Sequence, residues 1–470
     1  FGSSNFGSSV DWLDERARAV ATTERCPVWA VMAATAADLG LVRKDPLWIT
    51  VGNTLDEQPF PTYKYEVPIS MPFIGVGGVS RAFMEGGWPF VLKNGIDKDP
   101  HCIKAMRAIH GDTKELKALN IVDVPFSDLS ASEGYAGTAP CQDFSLLFEG
   151  AGMAGERGCL FMLQLQHMKH LSDHTVSCGR LKWGMLETVN GFLARRKGVG
   201  RAIDYANDWW ETNMPSWTPL VPWKVQLNRA SSAGSRGRCV IVTMRRDYMA
   251  VAGFPDKPPV HPYVRLEDFL MPDRGLDHLP SSTQEGNVKD WQEIFDEHCA
   301  TSDDGDDLGV IDASRKLAGK FKAYVSINQC PLFTTQNNNL FIFKGPNNQC
   351  MHVPPGGRLL ALEERASIHG VVFHTLASLS TRMQVLTLGN MFPTNIAGVC
   401  LREVMKGWSK FESMCMRQGL NRIRSQSPSA VYEVMKDFRS EGASPLRKPA
   451  ALKRPSGQVQ GGRAKRKSRD

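Results

Sequence analysis

Long apolar runs are what this sequence most plainly lacks. None of its 470 residues belongs to a stretch approaching the roughly 18 consecutive apolar residues that cross a bilayer, so no membrane partner is expected. Paired cysteine motifs are missing too. The eleven cysteines are an odd number at irregular spacing, with no CxxC pair. That argues against a disulfide framework and favours a reducing compartment. Cys330 and Cys350 stand twenty residues apart without partner ligands, so no metal centre is expected. There is no internal repeat. Most of the chain also lacks an excess of either charge. Outside residues 446–470, 47 basic residues face 48 acidic ones, so any nucleic-acid surface on the body must be a local patch. The chain opens on Phe1 rather than Met and is expected to be a fragment.

What is present reads as globular: 42% hydrophobic and 22% charged residues, at a length that favours two or three domains. Residues 1–65 are read as an N-terminal extension, partly disordered, with a Gly/Ser-rich start and helical spacing over 11–41. From Glu66 strands and helices alternate, which predicts a mostly parallel sheet. "YEVPISMPFIGVGG" gives a strand, "SRAFMEGGW" a short helix with a glycine stop, "PFVLKNGID" a second strand and "KDPHCIKAMRAIHGD" a second helix. A further helix is expected over 158–171 and strands at "KWGMLETV" and at Cys239–Arg246. The texture changes over 254–355, rich in Pro, Asn, Gln and Asp with an acidic "SDDGDD", as in a second domain or large insertion. Helical pattern returns over 356–424, at 359–369 and 395–405. Residues 425–470 are Ser/Pro- and Lys/Arg-rich and are expected to be disordered.

Several residues carry chemistry by type and position. "FIGVGG" between strand and helix can bring a ligand to backbone amides at a helix N-terminus, or can be an ordinary tight turn. Asp97 ends the next strand, where an acid can bind ribose hydroxyls or simply cap a helix. Cys141, in "TAPCQDFSLLF", follows a small-residue loop at the expected end of a fourth strand. A thiol there can act as a nucleophile if its pKa is lowered, or be an inert half-buried cysteine. Glu187 ends another strand, and Arg236 and Arg238 precede one; each alone reads as a rim charge. Together a glycine-rich loop, a thiol, an acid and two cations at the edges of one sheet suit covalent chemistry on a ring.

The order of these pieces resembles the cytosine-C5 methyltransferases that use S-adenosylmethionine. "FIGVGGVSRAFMEGGW", "APCQDFS", "GERGCLF", "ETVNGF", "SRGRCVIV", "RLLALEERASIHG" and "LTLGNMFPTNIAGVCLREV" are similar, in order, to seven family elements between Phe73 and about Met405. The resemblance implies a Rossmann-like class I methyltransferase fold of α/β class. Its catalytic core would span 66–253, with a target-recognition region at 254–355 and a return to the core at 356–424. It implies that Cys141 adds to C6 of cytosine, that Glu187 holds the N3/N4 edge and that Arg236 and Arg238 steady the base. Phe73, Gly75, Gly77, Gly78, Asp97, Asp123, Pro140 and Asn390 would bind the cofactor, S-adenosylmethionine. The family's acids stand here as Met71 and Gly95, its Asn as Thr188 and its Gln as Gly234; Asp97 is expected to stand in for the ribose acid.

The implied substrate is DNA. The alternatives are tRNA, for which the related Cys-Phe-Thr element appears only as "CPLFTT", and a non-catalytic nucleic-acid-binding homologue. "TTQNNNLFIFKGPNNQ" could contact base edges or be an Asn-rich loop. In the tail, Lys453 and Arg454, a ten-residue spacer, then Lys465, Arg466 and Lys467 resemble a bipartite import signal, so a nuclear location is expected.

Overall fold

The computed structural model describes residues 66–417, apart from 146–151, 174–180, 197–199, 231, 262–263, 272–281, 302–306, 314–324, 332–338 and 372. The expected N-terminal extension, all of "SDDGDD" except Asp307, and the tail with its Lys453, Arg454, Lys465, Arg466 and Lys467 lie outside the described residues.

β1 (Val67–Pro72) is almost wholly buried, as a strand covered on both faces must be. Phe73, Gly75 and Gly77 all have positive φ and turn the chain into α1 (Gly78–Glu85), which stops at the expected glycine. β2 (Phe90–Asp97) follows, then α2 (Pro100–His110). Asp99, not Asp97, caps α2, accepting from His101 N, with Pro100 in the first turn.

β3 (Leu116–Ala118), β4 (Gly134–Gly137), α3 (Cys159–Asp173), β5 (Trp183–Thr188), α4 (Ala202–Asn213), β6 (Val221–Gln226), β7 (Gly237–Met244) and α5 (Arg246–Ala252) complete this region. Arg246, expected as the end of a strand, instead opens α5. The acid Asp247 sits in that helix's first turn, where it complements the helix dipole, and accepts from Tyr248 N.

The large sheet has the order β3-β2-β1-β4-β5-β7-β6. β1 to β5 pair in parallel, and β7 runs antiparallel to both of its neighbours. This is the expected Rossmann-like methyltransferase fold. The strand order reverses between β1 and β4, and the carboxyl ends on either side of that point form the ligand crevice of open α/β sheets. One face of the sheet buries Trp88 and Trp183 against Phe83; the other buries Trp210 and Trp217.

A second, antiparallel sheet has the order β11-β10-β8-β9. It is preceded by α6 (Ser282–Thr301) and built from β8 (Leu308–Asp312), β9 (Ser326–Ile327), β10 (Leu340–Lys344) and β11 (Arg358–Leu359). In β10, Leu340 and Ile342 face one apolar cluster. Phe341 and Phe343 face another, shared with Trp291 and Phe295 of α6. That alternation makes "LFIFK" a strand covered on both faces rather than part of a base-reading loop. Asn348 is buried too, donating to Glu267 and accepting from Cys350 N.

The chain returns through α7 (Leu362–Ile368), α8 (Thr381–Asn390) and α9 (Thr394–Arg417). Two expected boundaries move. Leu359 pairs with Phe341 in the sheet instead of starting a helix. α9 runs past residue 405 because Trp408 and Phe411 are buried against the core. At the start of α7, Arg358 makes a bidentate pair with Glu364, 2.9 and 2.6 Å, both side chains buried. Glu364 also accepts from Met271 N and Ala361 N. With its oxygens satisfied in this way, the buried carboxylate offsets its desolvation.

Candidate active site

The site begins at the turn after β1. Ile74 N donates to Ile96 O, and Gly75 N donates to Asp97 Oδ2 at 3.0 Å, tying the turn to the end of β2. Asp97 Oδ1 accepts from Asp99 N. Burial pushes the Asp97 carboxyl above the usual range, and the two backbone donors pull it back. Thr138, just after β4, donates to Phe73 O at 2.6 Å, joining the turn to the loop that carries the thiol. Gly78 must be glycine: a Cβ there would lie 1.9 Å from Phe392 O, at the entry to α9.

Cys141 lies four residues beyond the end of β4 and precedes a 3₁₀ turn, Gln142–Phe144. Two neighbours fix this turn. Phe144 is buried with its ring 4.8 Å from Phe192 and 6.5 Å from Phe161. Asp143 accepts from Arg157 N and Gly158 N, both at 2.9 Å, at the start of α3. The segment "CQDF" is therefore an anchored turn with the thiol at its open end, which accounts for a cysteine placed between proline and glutamine.

Glu187 on β5 and Arg238 on the adjacent β7 form a nearly buried ion pair, Oε1 to Nε 2.6 Å. Arg236 is buried beside them, 4% exposed. Burial pushes the Cys141 thiol up to about 11; Glu187 adds to the rise, while Arg238 and Arg236 oppose it. Burial likewise raises Glu187, against the pull of the same two arginines. Arg236 is lowered to about 9 by burial and by Arg238.

These groups line one cavity of about 490 Å³, within the roughly 300–1,000 Å³ usual for small-molecule sites. Cys141, Glu187, Arg236, Arg238, Phe73, Gly75, Gly78, Asp97, Pro140 and Asn390 all line it. Two expected residues do not. Gly77 is absent from the lining; it caps α1 with φ 78°, and a Cβ would meet Met106 Sδ at 2.4 Å. Its place is a packing requirement. Asp123 is exposed and outside the cavity, because Leu119, Asn120 and Ile121 pass the rim before the chain reaches it.

The lining also holds residues that sequence reasoning did not assign, among them Arg157, Leu160 and Phe392. Each lies within a recognised element, but spacing alone does not say which member of such an element points inward. Met71 and Gly95, where the family pattern has acids, are register partners on β1 and β2. Met71 is buried in the apolar core, so the missing acids leave no unpaired buried charge.

Among solved structures, the S. pombe Dnmt2 methyltransferase is similar at 14% identity with a TM-score of 0.49, over 73% of this chain and 99% of that one. The Entamoeba histolytica methyltransferase EhMeth is similar at 11% and 0.48, over 73% and 99%. Spodoptera frugiperda DNMT2 is similar at 12% and 0.49, over 72% and 100%. A search of curated protein sequences finds no match. Residues 69–204, which hold Cys141 and Glu187, match the family model of the C-5 cytosine-specific DNA methylases, and the chain carries that family's domain.

Proposed function

We propose that this protein transfers a methyl group from S-adenosylmethionine to C5 of cytosine in DNA, through a covalent bond between Cys141 and C6. One observation carries this reading: a thiol, a carboxyl group and two guanidinium groups from separate stretches meet the glycine turn in a single cavity. The residues at the turn also suit the cofactor. Gly75, with φ 56°, leaves open space where a Cβ would project. Asp97 offers a carboxylate for ribose hydroxyls, and Leu119 and Ile121 offer an apolar wall for a base.

Cytosine C5 is too weak a nucleophile to be methylated directly. The Cys141 thiolate adds to C6, and the C5=C6 electron pair shifts towards C5. Glu187, its carboxyl raised by burial, holds the N3/N4 edge and supplies a proton to N3 as the thiolate adds. Arg238, paired with Glu187, and Arg236 set the field around the base and the thiol. When bound, the cofactor supplies an electrophilic methyl group. A base then removes the C5 proton, C5=C6 re-forms, N3 returns its proton to Glu187 and the Cys141 thiolate leaves. In a duplex the target base must first leave the stack.

The region over 254–355 would read the target, and the basic tail would direct nuclear import. Deleting residues 446–470 is expected to lower nuclear accumulation and spare activity on short oligonucleotides; unchanged localisation would remove the import role. The main test uses 5-fluorocytosine, whose C5 fluorine blocks elimination. The protein is expected to stay attached to fluorinated DNA through denaturation only when S-adenosylmethionine is present. An active protein that never traps would overturn the covalent mechanism. Better trapping on tRNA than on DNA would reassign the substrate.

A further inference from the structure

One buried side chain outside the expected set reaches the catalytic cluster. His369 follows α7, in "SIHG", and is completely buried. Its Nδ1 lies 3.1 Å from Arg365 O and its Nε2 lies 3.3 Å from Arg236 NH1. A carbonyl oxygen can only accept, so Nδ1 carries the hydrogen. A guanidinium can only donate, so Nε2 offers its lone pair. The two neighbours thus fix a neutral imidazole with one tautomer, and burial together with Arg236 and Arg238 keeps it unprotonated.

The backbone around His369 is equally determined. His369 N donates to Arg365 O and Ala366 O, and Thr394 N donates to His369 O at 2.9 Å. The adjacent Ile368 O accepts from Ser232 Oγ at 2.6 Å, four residues before Arg236. On the other side of that loop, Cys330 N donates to Ala233 O and Ser235 N donates to Cys330 O. The loop that carries Arg236 and leads into β7 is therefore held by the end of α7 and by the segment after β9. Only one of these contacts reaches a catalytic guanidinium directly.

We propose that His369 is a positioning residue: its Nε2 anchors the guanidinium of Arg236 and so holds that cation beside the Cys141 thiol and the base pocket. The inference rests on the proposed function for its effect on turnover, but not for its effect on the thiol. Arg236 draws the Cys141 thiol towards ionisation, so displacing it makes the thiol less reactive even without substrate.

The test uses two readouts on the full chain: kcat for methyl transfer, and the rate at which iodoacetamide alkylates Cys141, followed on its own peptide by mass spectrometry. His369→Leu keeps an apolar bulk without an acceptor. It is expected to lower kcat about tenfold or more, as loss of a hydrogen bond to a charged group does, with the KM for cofactor little changed. Cys141 alkylation should slow about threefold. His369→Gln, which carries an acceptor at similar reach, should stay within about threefold of wild type in kcat and alkylate at the wild-type rate. In an Arg236→Ala background, His369→Leu should add nothing further, since the two changes remove one interaction.

Equal losses in the Leu and Gln proteins, or fully additive losses with Arg236→Ala, would reduce His369 to packing and overturn the proposal. If the Leu protein does not fold, Arg236→Ala carries the test: alkylation that is unchanged by losing the guanidinium overturns it as well. A wild type that transfers no methyl group would remove the proposed function but leave the alkylation comparison standing.

Discussion

The two ends of the cavity are built from different materials. At the proposed catalytic end Cys141, Glu187, Arg236 and Arg238 are side chains whose charges and protons meet in one cavity. At the proposed cofactor end the structure is mostly backbone: a turn of positive-φ residues, the Gly75 amide donating to Asp97 Oδ2, and a glycine pressed against Phe392 O. A side-chain site fails when one functional group changes. A backbone site tolerates changed side chains so long as the path of the chain survives, which is why β1 and β2 can carry Met71 and Gly95 in place of acids. The difference is testable at both ends.

The largest effect is expected from Cys141→Ser. A serine hydroxyl is far less ionised than a thiol near neutral pH. Methyl transfer should fall by about 10³ or more and trapping on 5-fluorocytosine should vanish. Cofactor binding should persist, seen as a rise in Tm with added S-adenosylmethionine. Loss of cofactor binding together with activity would mean that the two ends are not separable.

Next is Gly78→Val at the backbone end. Its Cβ would stand 1.9 Å from a carbonyl oxygen, so α1 or α9 must move. Stability should fall by about 3 kcal/mol, and the cofactor-dependent Tm rise, worth about 2.7 kcal/mol at a hundredfold excess over Kd, should disappear. Retained binding would show the turn to be more pliable than its contacts imply.

pH sharpens the chemical end. The thiol is raised to about 11, and the thiolate is the reactive form. Below that value its population grows about tenfold per pH unit. Accordingly, kcat/KM should climb with a slope near one between pH 7 and 9. A plateau reached below pH 8 would contradict the raised thiol.

The smallest effect belongs to Asp123→Ala. The residue is exposed and outside the cavity, so cofactor affinity should stay within about twofold of wild type by calorimetry. A tenfold loss would restore Asp123 to the cofactor site.

The same division decides what the sequence made legible. Cys141, Glu187 and the arginines stand in recognisable elements, and their chemistry is carried by residue type. The first two strands and helices were readable because glycines and an Asp-Pro pair mark their ends. Asp123 and Gly77 fall outside the cavity because being near a pocket along the chain differs from facing it. Asp97 and Asp99 are two residues apart, and only geometry shows which one caps α2. β10 was hidden because "LFIFK" follows an Asn run, and its two covers, α6 and the cluster around Leu308, are supplied from elsewhere in the chain. His369 was invisible as a partner of Arg236, which lies 133 residues earlier.

The contact between Gly78 and the Phe392 carbonyl also sets an order in time. The turn that starts the cavity and the segment that closes it are more than three hundred residues apart. At synthesis rates of about 5–20 residues per second, roughly 15–60 s separate their emergence. During that interval α1 has no α9 to pack against. Ribosome-bound chains that stop before Thr394 are expected to gain no protease protection from cofactor, and closure of so long a loop belongs to the slow, non-local part of folding. On the proposed function, the chain becomes able to hold its methyl donor only after the segment that carries Phe392 has been made.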